Sequence, residues 1–255
     1  MTYLLKLGFL AFLLCSCMQL YKRKTVITEI ENKKVISIGM TGDYAPFSEW
    51  REGQFYGVDV ELAQKLAQSL GVRVRFVQTS WPTLLADLKD KKFHIAMSGI
   101  TVKSERKKVG FFSKGYVEIG KLGISRCADA YKFGNLKDID KKSVRVAINK
   151  GGTNETFARK HIKEAQIIVF PNNSKIFGHI INNKADVMLT DSIEVFYQSK
   201  KHKGKLCPTM KEPVTKKEIA FLMQKDNSLK EYVDKWLNKM ELSGEKEKIF
   251  KKYLK

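Results

Sequence analysis

Two short segments hold the residue types from which chemistry is made. Asn149-Lys150-Gly151-Gly152-Thr153-Asn154-Glu155 and Thr190-Asp191-Ser192-Ile193-Glu194 each follow an apolar run of strand length. The first sets glycines and a hydroxyl at the start of a helical stretch, where backbone N–H groups and the helix's partial positive charge hold an anion. The second supplies carboxylates, Asp191 and Glu194, at the start of another helical stretch. An anion-holding loop beside a carboxylic acid is a pairing suited to proton transfer onto a bound anionic molecule.

Other chemistries lack their residues. His94, His161, His179 and His202 are scattered, and neither Cys127 nor Cys207 has a His or Cys neighbour at metal-ligand spacing. No metal, no cofactor and no Cys-His nucleophile is expected.

The segments must be positioned by βα units, because strand-length apolar runs alternate with stretches of helical period. Val35 to Met40 opens the series. A helix from about Val58 to Leu70 aligns Val60, Ala63, Leu66, Ala67 and Leu70 on one face and stops at Gly71. Strands follow at Val72 to Val77 and Ile95 to Met97, with Ser80 as the cap of the helix between them. A second series has strands at Val144 to Ile148, Ile167 to Phe170 and Val187 to Leu189, and helices from about Thr153, Asn173 and Ser192. Leu229, Val233, Trp236, Leu237 and Met240 share the face of a late helix, which Gly244 separates from the last one. The expectation is an α/β protein of two lobes: residues 33–122 with 216–255 in the first, 123–215 in the second, after a leader and tether over 1–32. Two crossing segments, Lys121 to Ser125 and Glu218 to Met223, would form the hinge, and ligands bind beyond the carboxyl ends of such strands.

Composition supports a folded, exported protein. The 255 residues are 43% hydrophobic, and a formal net charge of +20 comes mainly from lysines dispersed along the chain. Dispersed charge without a basic, aromatic-interleaved face excludes a nucleic-acid binder, though it draws small anions. Tyr3 to Leu14 is apolar apart from Lys6 and too short to span a bilayer, which reads as a secretory signal to the periplasm. Leu14-Cys15-Ser16-Cys17 resembles a lipobox, which would make Cys17 a lipidated N-terminus; plain secretion is the alternative. Export favours a disulfide between Cys127 and Cys207, the alternative being two buried free thiols.

The combination of Thr41-Gly42-Asp43-Tyr44-Ala45-Pro46-Phe47, Gly57-Val58-Asp59-Val60, Thr79-Ser80-Trp81-Pro82, Ala96-Met97-Ser98-Gly99-Ile100 and Gly151-Gly152-Thr153-Asn154-Glu155 resembles the periplasmic cyclohexadienyl dehydratases, which have the type II periplasmic solute-binding fold. The resemblance runs from about Val35 to the C-terminal helices. It implies loss of water and carbon dioxide from prephenate or arogenate, with Glu194 as general acid and Asn149 orienting the departing hydroxyl or the acid. Arg106 is the fork for one substrate carboxylate, with Ser98, Thr101 and the amides of Gly152 and Thr153 completing that pocket. Lys121 would take the ring carboxylate, Tyr44 and Trp81 would wall the ring, and Asp191 resembles the residue that binds the α-amino group in amino-acid receptors.

Each residue has a plainer role open to it. Glu155 in a first helical turn stabilises that N-terminus, Asp191 caps a helix, Trp81 is core, and Arg106 or Glu194 is a surface charge. The alternative function is a non-catalytic amino-acid-binding protein that delivers its ligand to the permease of an ABC transporter.

Overall fold

The computed structural model describes residues 25–254; the signal segment, Cys15 and Cys17 lie outside the described residues. The first stretch of chain forms α1 (Val26–Lys33), β1 (Val35–Met40), β2 (Asp43–Tyr44), β3 (Ser48–Arg51), β4 (Gln54–Tyr56), α2 (Val58–Ser69), β5 (Arg73–Gln78), α3 (Leu84–Lys89), β6 (Ile95–Ala96), α4 (Ser104–Val109), β7 (Phe111–Phe112) and β8 (Val117–Ile119). The second forms β9 (Lys121–Arg126), α5 (Leu136–Ile139), β10 (Arg145–Asn149), α6 (Thr153–His161), β11 (Gln166–Phe170), α7 (Asn173–Ile181), β12 (Val187–Asp191), α8 (Ser192–Lys201) and β13 (Leu206–Pro208). The chain then returns through β14 (Lys217–Ile219) and β15 (Leu222–Met223) to α9 (Asn227–Leu242) and α10 (Glu245–Leu254).

The apolar runs pair into two sheets. The first has order β5-β1-β6-β15-β7 and the second β11-β10-β12-β9-β13. β1 is parallel to β5 and β6, and β10 is parallel to β11 and β12. Strands buried on both faces read as continuous apolar runs, which is why Val35–Met40 and Val187–Asp191 stand out in the sequence. Each sheet has its own core. Leu229, Val233, Trp236, Leu237 and Met240 of α9 join the core over β1 and α2, so both terminal helices complete the first lobe. The core of the second lobe centres on Val146, Ile148, Ile176, Phe177 and Val187. Cys127 and Cys207 form a disulfide that ties the end of β9 to β13.

Three expectations need correction. Residues 26–33 are helical rather than a tether: Thr25 and Thr28 make a capping box, and Ile30 is fully buried with Val26 and Ile27 packed beside it. The signal was the apolar spacing inside a polar stretch. The crossing is a ribbon of β8 with β14, registered Val117 to Ile219 and Ile119 to Lys217. Lys121–Arg126 already belongs to the second sheet, so Lys121 and Leu122 fall in that lobe, while Leu222–Met223 belongs to the first. A short apolar run looks the same in a crossing as in a sheet. Thirdly, Ser80 does not cap α3; the residue before that helix is Thr83, with Ser80 in the turn preceding it.

Candidate functional site

The loops beyond the carboxyl ends of the parallel strands meet between the lobes. Tyr44, Trp81, Gly99 and Thr101 of the first lobe face Asn149, Gly152, Thr153, Asn154, Asn173 and Asp191 of the second. The space they enclose is about 20 Å³, the room of about one water. A ring-bearing ligand therefore enters only when the lobes part.

Asp191 ends β12 and accepts from both lobes. Tyr44 Oη donates to Oδ2 at 2.5 Å and Lys121 Nζ donates to Oδ1 at 2.7 Å. Lys121 also donates to Thr153 Oγ1 at 3.0 Å and to Asn154 Oδ1. Burial and the facing Asp191 push the Tyr44 hydroxyl well above its ordinary range, so it stays a donor. The Asp191 side chain makes no capping bond to α8; its oxygens face the cleft.

Glu194 lies one turn further on and is fully buried. Thr190 Oγ1 donates to its Oε2 at 2.5 Å and Asn173 Nδ2 donates to its Oε1 at 2.6 Å. Burial, with Asp191 and Asp43 nearby, nevertheless pushes this carboxyl well above the usual carboxylate range. A raised pKa is what lets a carboxyl carry a proton to a ligand. Asn154 Nδ2 donates to Thr190 Oγ1 at 3.0 Å and to Asn149 Oδ1 at 2.9 Å. A relay of four side chains thus runs from Asn149 through Asn154 and Thr190 to Glu194. Asn149 and Glu194 do not meet across the cleft; both belong to the second lobe and communicate through this relay. Glu194 sits just behind the cavity wall, covered by Asn173, which lines it.

Asn173 also joins the lobes. Its backbone N–H donates to Asp43 Oδ2 and its Nδ2 to the Asp43 carbonyl, each at 3.2 Å, while its Oδ1 is buried with no partner. Trp81 Nε1 donates to Asp43 Oδ1 at 2.9 Å, and the Trp81 ring stands edge-on to Tyr44. Parting the lobes would break the two bonds between Asn173 and Asp43.

Arg106 is buried, not a surface charge. Its Nη1 donates to Thr101 O at 2.9 Å and its guanidinium lies over the Trp81 ring, with no ion pair among the described residues. Burial pushes its pKa down to about 10, which leaves it fully charged. Like Ser98, Arg106 does not itself line the cavity; it stands behind Trp81, which does. Ser98 departs from expectation: its Oγ accepts from the Thr41 backbone N–H at 2.9 Å and it does not line the cavity, so it shapes the loop. Gly99 has φ +64° and an added Cβ would sit 2.5 Å from the Tyr44 ring, so glycine allows that ring to form the wall.

Gly152 precedes α6 and leaves its first amides facing the cleft; a Cβ there would sit 2.6 Å from Asn149 Nδ2. Glu155 takes the structural role read from its position, accepting from the Gly151 N–H at 2.7 Å and from Arg159. Asp43, Asn154, Asn173 and Thr190 contact these groups without standing out in the sequence. Asn173 had an available signal, since it opens the helix after β11, beyond the carboxyl end of a parallel strand. Among the described residues no group of three or more His, Cys, Asp or Glu side chains is placed to hold a metal, and no helix is long and apolar enough to cross a membrane.

Two lobes, each with a mixed five-stranded sheet and a ligand cleft between them, define a two-lobed solute-binding protein of type II. The family described as bacterial extracellular solute-binding proteins, family 3, matches residues 36–255, and the chain belongs to it. This agrees with an exported protein that takes a small solute. Cyclohexadienyl dehydratase of Pseudomonas aeruginosa is 42% identical over 226 residues, 88% of this chain and 84% of that one. The arginine-binding extracellular protein ArtP of Bacillus subtilis is 30% identical over 227 residues, 87% of this chain and 86% of that one. Among solved structures, an ancestral amino-acid-binding protein described as a precursor of cyclohexadienyl dehydratase superposes with a TM-score of 0.85 at 33% identity, covering 91% of this chain and 100% of that one. An ancestral cyclohexadienyl dehydratase does so with a TM-score of 0.58 at 44% identity, covering 92% and 98%.

Proposed function

We propose that the protein is a cyclohexadienyl dehydratase, a carbon-oxygen lyase that converts prephenate to phenylpyruvate, carbon dioxide and water. The observation that carries this reading is Glu194, a fully buried carboxyl whose pKa burial raises, just behind the wall of a cleft in which Trp81 carries the buried Arg106 guanidinium over its ring. The dehydratase of Pseudomonas aeruginosa and the ancestral dehydratase support it.

The reaction needs one proton and no external electrons. The bond from the ring carbon to its carboxylate breaks, its electron pair completes the aromatic ring, and the hydroxyl on the opposite carbon departs with its C–O bond pair. A bare hydroxide is a poor leaving group, so Glu194 supplies the proton that makes it water. Solvent then returns a proton to Glu194. Asn149, held by Asn154, directs its amide toward the departing oxygen. Arg106 binds one carboxylate through its fork, helped by the first amides of α6. Tyr44 and Trp81 flank the ring. Lys121 is not the ring-carboxylate receptor in this reading, because its three N–H donors are occupied by Asp191, Thr153 and Asn154.

Incubating the purified protein with prephenate and following phenylpyruvate absorbance tests the assignment. Turnover well above the spontaneous rate is the expected result. No turnover, together with tight binding of an amino acid, would return the protein to the transporter-component reading and make a permease its partner. Lipidation at Cys17 is a separate proposal, tested by the mass of the mature N-terminal peptide.

A further inference from the structure

We propose that Asn173 is a further substrate-binding and positioning residue: its Nδ2 orients Glu194, and its Oδ1 accepts a hydrogen bond from the hydroxyl that departs. The identity of that hydroxyl rests on the dehydratase reading; the unpaired acceptor stands on geometry. Asn173 opens α7 and is 2% exposed, yet it lines the cavity. Its Nδ2 donates to Glu194 Oε1 at 2.6 Å and to the Asp43 carbonyl at 3.2 Å, which uses both of its hydrogens. A backbone carbonyl only accepts, so turning the amide over would set two carbonyl oxygens against each other. Asp43 thus fixes from the first lobe which end of the amide meets the acid. The other end, Oδ1, is buried and has no partner.

An unpaired buried acceptor is costly, and a ligand donor that meets it removes that cost. Among the described residues two further buried side-chain oxygens lack a partner, Ser199 Oγ and Thr209 Oγ1, and neither residue lines the cavity. The other amide and carboxylate oxygens of the cavity wall each receive a donor: Asp191 from Tyr44 and Lys121, Asn149 from Asn154, and Asn154 from Lys121. Prephenate at neutral pH carries two carboxylates, a keto group and a hydroxyl, so the hydroxyl is its single hydrogen-bond donor. A single donor on the ligand meets a single unpaired acceptor in the wall. Because the same amide holds Glu194 at its other end, a hydroxyl on Oδ1 stands one side chain from the acid. Donating to Oδ1 leaves the lone pairs of the hydroxyl oxygen for the Glu194 proton; the C–O bond then breaks with its electron pair and water leaves. The backbone N–H of Asn173 also donates to Asp43 Oδ2, so the receptor is complete only with the lobes together.

The test titrates the purified chain calorimetrically with phenylpyruvate and 4-hydroxyphenylpyruvate. These differ by one hydroxyl, on the ring carbon that corresponds to the one losing it in prephenate, and neither can undergo the elimination. The wild type should bind the hydroxylated ligand about 2- to 12-fold tighter, the effect of one net hydrogen bond. Asn173→Leu keeps the bulk without donor or acceptor; it should erase or reverse that preference and lower kcat for prephenate about 10- to 100-fold. Asp191, Asp43 and Tyr44 face Glu194, and the bond from Asn173 opposes the rise in pKa that burial and the two carboxylates impose, so its loss moves the alkaline limb of kcat upward. A purely structural role would not move the hydroxyl preference. Equal or weaker wild-type binding of the hydroxylated ligand, binding of neither, or a preference that survives in Asn173→Leu would overturn the inference, and the dehydratase assignment stands if prephenate is turned over. A preference that depends on Asn173 without turnover of prephenate would keep the acceptor and sink the dehydratase assignment instead. Should Asn173→Leu not fold, Asn173→Ala replaces it, and should neither fold, the wild-type ratio decides.

Discussion

Replacing Thr190 by valine probes the relay that holds the acid. The change keeps the branched shape at a fully buried position and removes one hydroxyl. That hydroxyl makes two bonds, donating to Glu194 Oε2 at 2.5 Å and accepting from Asn154 Nδ2 at 3.0 Å. Two buried polar atoms lose a partner, at about 1 to 3 kcal/mol each, so the protein should lose about 2 to 6 kcal/mol of stability. For a chain of this size the midpoint of thermal unfolding falls by roughly 4 to 24 °C. The kinetic consequence is more specific. Asn149 and Glu194 lose their connection, and kcat should drop about 10- to 100-fold with KM nearly unchanged, because misplaced groups hurt the chemical step more than binding. The Thr190 bond also lowers the Glu194 pKa, so its loss raises that pKa further. A general acid works while protonated; the rate falls as pH rises through its pKa, and the alkaline limb of kcat moves upward in Thr190→Val. Calorimetry and a pH–rate profile provide both readouts. A limb that stays in place or moves down, with kcat near wild type, would refute the relay.

Three further outcomes are expected. Arg106→Lys keeps the charge but not the two-pronged geometry, and KM for prephenate should rise about tenfold with a smaller change in kcat in initial-rate assays. Joint replacement of Cys127 and Cys207 by serine opens a loop of sequence separation 80, at a cost of about 4 to 5 kcal/mol in the chain-entropy account, measurable by urea unfolding. Asp59, fully buried between Tyr116 Oη and the Gly99 N–H, is raised by burial from 3.8 to about 7. A raised carboxyl adds stability that is complete below its unfolded pKa and is lost as pH rises through the folded one. Asp59 therefore withdraws about 4 kcal/mol between pH 4 and 8, and calorimetry at pH 5 and 8 should find the protein more stable at pH 5.

The elements that were legible are those whose burial repeats along the chain. Val35–Met40 and Val187–Asp191 announce themselves as apolar runs, and α9 shows its buried face at helical spacing. The β2–β4 meander is made of strands of two to four residues, too short for a period to register. The β8–β14 ribbon pairs residues about a hundred positions apart, and no local pattern names a distant partner. The site divides in the same way. Tyr44, Asn149 and Asp191 line the cavity because strand ends carry loops, a rule that sequence exposes. The Ser98 hydroxyl bonds the Thr41 backbone, a partner that residue type and position do not reveal. Asn154, Thr190 and Asp43 matter through contacts that three-dimensional packing alone creates. The occupied state of Asp191 was hidden for the same reason, since Lys121 and Tyr44 reach it from 70 and 147 residues away.

The central claim is that Glu194 is the proton donor of a decarboxylative dehydration. Its most direct test is kcat for prephenate at saturating concentration in the wild type and in Glu194→Gln, which keeps the shape and the acceptor but cannot give up a proton. The account predicts measurable wild-type turnover and a loss of about 10²- to 10⁴-fold in the variant with KM little changed. Turnover by Glu194→Gln at the wild-type rate would contradict it.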